Sequence, residues 1–318
     1  MTTDIDHWAD RVRAGDVRAI SRAITAVENV APEAESILRV LFPHTGHAHL
    51  AGITGAPGTG KSTLVDRLAT FYRKQNESVG IIAVDPSSPF TGGAILGDRI
   101  RMQGHATDAG IFIRSMATRG FLGGLARTTG DAAMILEAAG KQRLLIETVG
   151  VGQDEVDIMR LADCTLVVLV PGLGDEVQAI KAGIMEIADI FVLNKSDREG
   201  TDRFEQQLRA MLSLSPERNG WRPPVLRTVA TEGKGIPELA ESMDAFRVHL
   251  DRTGQRQARK IANWKQRLIE LLEARFIDQV ITRGLGERGL EALAAGIAER
   301  KKDPYAVVND LLARAGIR

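Results

Sequence analysis

The stretch Gly55-Ala56-Pro57-Gly58-Thr59-Gly60-Lys61-Ser62 decides the reading of this chain. An apolar, strand-length run at 48–54 precedes it, and Leu64, Leu68 and Phe71 follow at helical spacing. Strand, glycine-rich turn and amphipathic helix in that order are the setting that the pattern G-x-x-x-x-G-K-[ST] requires. A loop that wraps a chain of phosphates must bring several backbone N–H groups close to anionic oxygens. Glycines permit both the dihedrals and the approach. The helix beginning near Lys61 points the positive end of its dipole at the same place. Lys61 adds a charge near the β and γ phosphates, and Ser62 can offer its hydroxyl to Mg²⁺. Residues 55–62 are therefore candidate nucleotide ligands as a block.

Working outward, short apolar runs recur at 48–54, 79–84, 111–113, 144–146, 165–170, 190–193 and 225–229, with helical stretches between most of them. That alternation implies an α/β fold with a mostly parallel central sheet and helices on both faces. Ligands of such sheets lie at the carboxyl ends of the strands. The polar residues of interest fall there: Gly55 onward, Asp85, Glu147, Pro171-Gly172 and Asn194. Residues 1–45 read as a helical N-terminal extension. Ile20, Ile24 and Val27 share one face, and Pro32 suits the first position of a helix carrying Ile37, Leu38, Val40 and Leu41. Residues 46–250 hold the sheet. Residues 251–318 read as a helical arm with Trp264, Leu268, Leu272, Phe276 and Val280 in register, then a break at Gly284, Gly286 and Gly289. An arm with such a stripe packs either on its own core or on a partner.

Asn194-Lys195-Ser196-Asp197 directly follows the run at 190–193. Guanine carries N1–H and the exocyclic N2 amine side by side, and the Asp197 carboxylate can accept from both. Adenine offers neither there, so a charged acceptor would go unpaired, and sites of that kind discriminate steeply. Asn194 can reach the far edge of the base and the stem of Lys195 can cover its face. Alone the tetrad is a weak signal, but behind a phosphate loop it is strong. The stretch 228–235, with Ala230, can add a backbone contact to the base from the next strand end, or serve as a plain loop. The two motifs together point to GTP and GDP as ligands.

Mg²⁺ takes oxygen ligands, usually one or two carboxylates with waters and phosphate oxygens. Asp85, Asp98 and Glu147 are the candidates, with Ser62. Glu147 stands where many phosphate-loop enzymes carry aspartate. No glutamine directly follows Gly150, so the water-positioning glutamine of small signalling GTPases is absent from its usual place, and slow intrinsic hydrolysis is expected.

Composition narrows the classes further. Lys and Arg number 41 and Asp and Glu 41, so no global field draws the chain to nucleic acid or an anionic membrane. No apolar run approaches the roughly 20 residues of a membrane span. The polar, acidic start lacks the layout of a signal peptide, and one cysteine, Cys164, excludes an internal disulfide framework. A cytoplasmic protein is expected. His44, His47 and His49 fit alternation into a strand edge better than a metal tract. The basic run 252–267 reads as a solvated helix face.

Residues 52–63, 84–99, 147–153 and 194–197, taken as a set, resemble the MeaB/MMAA (ArgK-type) family of P-loop GTPases. The likeness covers nearly the whole chain, and the segment from Asp85 to Arg101 is its most specific part. The resemblance implies a GTP-hydrolysing chaperone that gates cofactor loading and protects an adenosylcobalamin-dependent acyl-CoA mutase, of the methylmalonyl-CoA mutase type. It also implies a homodimer through the C-terminal arm. By position, Lys61, Ser62 and Thr63 would hold phosphates and metal. Asp85, Asp98 and Glu147 would line the Mg²⁺ site, with Lys61, Asp85 and Glu147 serving hydrolysis, and Asn194, Lys195 and Asp197 would read guanine. Residues 171–181 resemble the family's third switch, in which Asp175, Gln178 and Lys181 would couple nucleotide state to the client. The competing reading is a metallochaperone GTPase delivering nickel or cobalt. Such relatives carry Cys-rich or His-rich tracts, against one cysteine and 6 scattered histidines here.

Overall fold

The alternating apolar runs condense into one sheet. A computed structural model describes residues 2–85, 103–105, 107–117, 124–148, 159–172, 186–214, 217 and 219–314. Within them, strands β1 (His49–Thr54), β2 (Val79–Asp85), β3 (Ile111–Ala117), β4 (Arg143–Thr148), β5 (Cys164–Leu169), β6 (Ile190–Asn194) and β7 (Val225–Thr228) form a seven-stranded sheet. Its order is β3-β2-β4-β1-β5-β6-β7, and every neighbouring pair is parallel. β1 is central, so the glycine-rich loop leaves the middle of the sheet. All seven strands fall on the apolar runs, and the sheet is flanked by helices as the alternation requires.

Period-two alternation splits each strand between two cores. Ile81, Leu145, Leu166, Val168, Ile190 and Val192 face α4 (Lys61–Lys74) and α7 (Ile236–Arg252), meeting Leu64, Leu68, Tyr72, Leu239 and Phe246. The intervening residues face the other way. Ile82, Val84, Leu144 and Ile146 pack under α5 (Gly124–Ala138) and the N-terminal helices. Val167, Phe191 and Leu193 pack under α6 (Thr201–Ser213) through Phe204 and Leu208.

The N-terminal helices α1 (Thr2–Arg13), α2 (Val17–Glu28) and α3 (Ala34–Leu41) belong to this core, because Ile20, Ile24, Val27, Ile37 and Leu41 are all buried in it. The Asp16 carboxylate caps α2, accepting from Arg18 N and Ala19 N at 2.9 and 3.0 Å. Two boundaries differ from expectation. α3 starts at Ala34, so Pro32 lies in the preceding turn rather than at the first helical position. β3 runs on through Arg114 and Ser115 to Ala117, where the apolar run stops at Ile113. The polar Arg114 is accommodated because its guanidinium pairs with Glu28 and donates to Thr25 Oγ1 on α2.

Beneath the sheet, at its amino end, lies a second set of buried charges. Arg143 opens β4, donates to Glu77 at 2.6 Å and Asp244 at 2.8 Å, and stacks 4.5 Å above the Tyr72 ring. Burial works against its charge, but the hydrogen bonds to Glu77 and Asp244 outweigh that and raise its pKa. His49 opens β1 at 4% exposure. Burial, reinforced by Arg143 and Arg247, pushes its imidazole down to about 4.

The chain divides into two compact units, Met1–Gln257 and Ala258–Arg318. The second holds most of α8 (Gln255–Ile277), a π-helical stretch (Asp278–Leu285), α9 (Gly286–Ala298) and α10 (Pro304–Arg314). The glycine-rich break is thus a π-helical segment with a joint at Gly286, where φ is +67°. Along α8, Ile261, Trp264, Leu268 and Leu272 recur on one face and are all exposed. No helix of the described residues is long and apolar enough to cross a membrane.

Candidate nucleotide-binding site

The carboxyl ends of β1, β4 and β6 converge on the glycine-rich loop. Gly55, Gly58 and Gly60 all take positive φ, at 146°, 80° and 91°. Two of them also permit close approach. A Cβ on Gly55 would lie 2.2 Å from Val168 O on β5, and one on Gly60 would lie 2.5 Å from Asn194 Nδ2. The loop therefore tolerates no side chain at the two places where neighbouring strand ends press on it. Thr59 braces the turn from within, its Oγ1 donating to Ala56 O at 2.9 Å.

α4 begins at Lys61, whose buried side chain curls back over the loop. Its Nζ donates to Gly55 O at 2.7 Å and Ala56 O at 3.1 Å. Ser62 points the other way, donating its hydroxyl to Glu147 Oε1 at 2.6 Å. Thr63 is half-buried beside it. Glu147 sits near the end of β4, opposite Ile53 of β1 and Ala83 of β2, and is itself buried. Asp85 closes β2 opposite Ala117. A hard cation wants such oxygens, and a hydroxyl and a carboxylate already in contact at the helix start form a donor set that fits Mg²⁺. Asp98, Asp175, Gln178 and Lys181 lie outside the described residues.

The tetrad is bolted to the same loop. Asn194, buried at the end of β6, donates from Nδ2 to Thr59 O at 2.8 Å. Its Oδ1 accepts from Thr228 Oγ1 and from Ala230 N, both at 3.1 Å. One side chain thus joins the phosphate loop to the loop after β7. Lys195 takes a left-handed φ of +54°, unusual for a residue with a Cβ, and its Nζ reaches Gly58 O at 2.7 Å. Ser196 N and Oγ both donate to Thr228 O, so the tetrad turn hangs on β7. Asp197 is exposed beyond this turn. Nearby, hydrogen bonding to Glu232 raises the Lys234 ammonium above its ordinary range. His44, His47 and His49 do not converge on the site: His44 ends a short 3-10 turn, His47 is exposed and His49 is buried at the far end of β1.

Sequence reasoning missed one side-chain role within the stretch 228–235 and one residue outright. Thr228 orients Asn194, though the motif shows only the strand it ends. Arg67, six positions into α4 from Lys61, donates to Ala230 O and Thr231 O at 3.1 and 3.0 Å. A mid-helix arginine reads as an ordinary surface cation, and no spacing rule marks it.

Known proteins resemble this chain in sequence and fold. The family model described as methylmalonyl Co-A mutase-associated GTPase MeaB matches residues 20–284. GTPase ArgK of Escherichia coli is 34% identical over 279 residues, which span 85% of this chain and 83% of that protein. The mitochondrial methylmalonic aciduria type A homolog of Mus musculus is 32% identical over 297 residues, 86% of this chain and 72% of that protein. A crystal structure described as a LAO/AO transport system kinase superposes with a TM-score of 0.74 at 25% identity, over 99% of both chains. The family match runs from α2 to the π-helical stretch and takes in every motif around the loop, so the chain belongs to the MeaB family of P-loop GTPases and binds guanine nucleotides.

Proposed function

We propose that this GTPase is a chaperone of an adenosylcobalamin-dependent acyl-CoA mutase of the methylmalonyl-CoA mutase type, gating cofactor loading and protecting the enzyme. The observation that carries the reading is the family match over residues 20–284, whose description is a mutase-associated GTPase. The mouse relative, with its name tied to methylmalonic aciduria, points the same way.

The site's own chemistry supports a metal-assisted hydrolysis. Lys61 holds its ammonium on two loop carbonyls, neutral partners that a phosphate oxygen would outcompete, since hydrogen bonds to charged groups are the stronger ones. Residues 55–63 would cradle the phosphates. Ser62, Glu147, Asp85 and Asp98 would hold Mg²⁺, which supplies charge neutralisation at the β and γ phosphates when bound. Asn194, Lys195, Asp197 and Ala230 would read the base, and Asp175, Gln178 and Lys181 would relay nucleotide state to the client. Intrinsic turnover is slow on this reading and quickened by the mutase.

The second unit supports a homodimer. Trp264, Leu268 and Leu272 present 42%, 57% and 67% of their surface along one face of α8, and a stripe of that kind is stable in water when a partner covers it. The functional division is then 1–45, 46–250 and 251–318, for a protein working in the cytoplasm without nucleic acid or membrane. The test is GTP turnover, with ATP as control, alone and with a purified cobalamin-dependent acyl-CoA mutase. Slow GTP hydrolysis accelerated by the mutase, with ATP inert, is the expected result. No acceleration by any such mutase would sink the client assignment and favour metal delivery.

A further inference from the structure

We propose that Arg67 is a positioning residue for base recognition, clamping the loop after β7 to the helix that starts at the phosphates. The inference rests on the reading of Asn194, Asp197 and Ala230 as the base-facing set. α4 is one rigid element with Lys61 and Ser62 at its first turn and Arg67 about two turns on. The half-buried guanidinium spans two successive carbonyls, Ala230 O and Thr231 O. Those carbonyls belong to a single 3-10 turn, Ala230–Glu232, which opens with the Ala230 N–H bonded to Asn194 Oδ1. Besides Arg67, the turn is held by the buried Ala230 side chain, by Glu232 N on Val229 O and Gly233 N on Ala230 O, and by an isolated antiparallel bridge of Val229 with Lys234, so Arg67 supplies its side-chain tie to α4.

The clamp has a chemical consequence. The Ala230 N–H, which rests on Asn194 Oδ1, can be taken over by a carbonyl oxygen at position 6, as in guanine and hypoxanthine, but meets another donor in the 6-amino group of adenine. Its value depends on the turn being held in place, because a recognition group serves only within a few tenths of an ångström of its productive position. A planar fork on two carbonyls restrains that turn as a single-point ammonium cannot. Asp197, by contrast, reads the N2 amine that guanine has and hypoxanthine lacks. The two contributions therefore separate by ligand.

The experiment compares wild type with R67A, R67K and R67Q for binding of GTP, ITP, ATP and inorganic triphosphate, with hydrogen exchange over residues 229–235. R67A is expected to weaken GTP and ITP by the same factor, about tenfold, as for loss of a charged donor. The GTP-to-ITP ratio, ATP and triphosphate should hold, exchange at 229–235 should rise, and R67K should fall between. If R67A does not fold, R67K and R67Q carry the same test. Weakening of triphosphate in parallel would show that Arg67 acts through the phosphate helix and overturn the proposal. So would GTP affinity unchanged in R67A while the wild type selects GTP over ATP. A wild type that does not select GTP would instead overturn the base-reading assignment beneath it.

Discussion

The two ends of the central sheet both bury charge, and they do it in opposite ways. At the carboxyl end, Lys61 and Lys195 donate to backbone carbonyls of the glycine loop, and Asn194 bridges that loop to the next. These partners are neutral and sit on loops, so an anionic ligand can replace them. At the amino end, Arg143 lies between two carboxylates and over an aromatic ring, each carried by a helix or a turn tied to the core. Nothing there is exchangeable. Charge held on loop carbonyls can be taken over by an anionic ligand, whereas buried charge set against fixed opposite charge is a fastening.

Mutations should break the two ends differently. The largest effect is expected at the loop: Lys61→Ala should lower GTP turnover about 10²–10³-fold, the range for losing a preorganised cation at a transferring phosphoryl group. Its thermal midpoint should move by only a few degrees, and a collapse of stability would erase the contrast. Arg143→Ala should do the reverse. It leaves Glu77 and Asp244 without their shared cation and should cost about 3 kcal/mol in denaturant unfolding, with GTP affinity unchanged.

His49 sharpens the comparison with pH. Its folded pKa, about 4, lies below the ordinary 6.5, so the folded state binds the proton less well than the unfolded chain does. The stability it contributes is full above pH 6.5 and is lost as pH falls from there toward 4. Between pH 7 and 5 the loss should reach about 2 kcal/mol. His49→Phe should remove that share of the slope, and an unchanged slope would mean that the imidazole finds a proton acceptor in the fold. The smallest effect should be Ser196→Ala. It removes one neutral hydrogen bond to Thr228 O while the backbone N–H keeps the same acceptor, so GTP affinity should fall by no more than about threefold.

The amino acid pattern announces the carboxyl end far better than the amino end. Residues 55–62 and 194–197 are local in the chain, and the chemistry of phosphate and guanine dictates their types, so motif and site coincide. The seven strands were legible because a doubly covered strand has an apolar middle, as residues 144–146 of β4, 166–169 of β5 and 190–193 of β6 do. Legibility ended where long-range pairing rescues polarity. Arg114 reads as the end of a strand because its partners, Glu28 and Thr25, lie 86 and 89 residues away. Arg67 and Arg143 fail to announce themselves for the same reason. Each meets its carbonyls or carboxylates only after the chain has crossed the sheet, at separations of 163 and 101 residues.

The exposed face of α8 has a practical corollary. The chain carries 3 tryptophans in three optical environments. Trp8 is buried with its indole N–H on Ala19 O, Trp221 leans on Phe246 and His249, and Trp264 lies 42% exposed on the stripe. Emission excited at the red edge of the absorption band should therefore be dominated by Trp264. A blue shift of that emission on dilution series or client titration would report whatever comes to cover the arm, with no label attached.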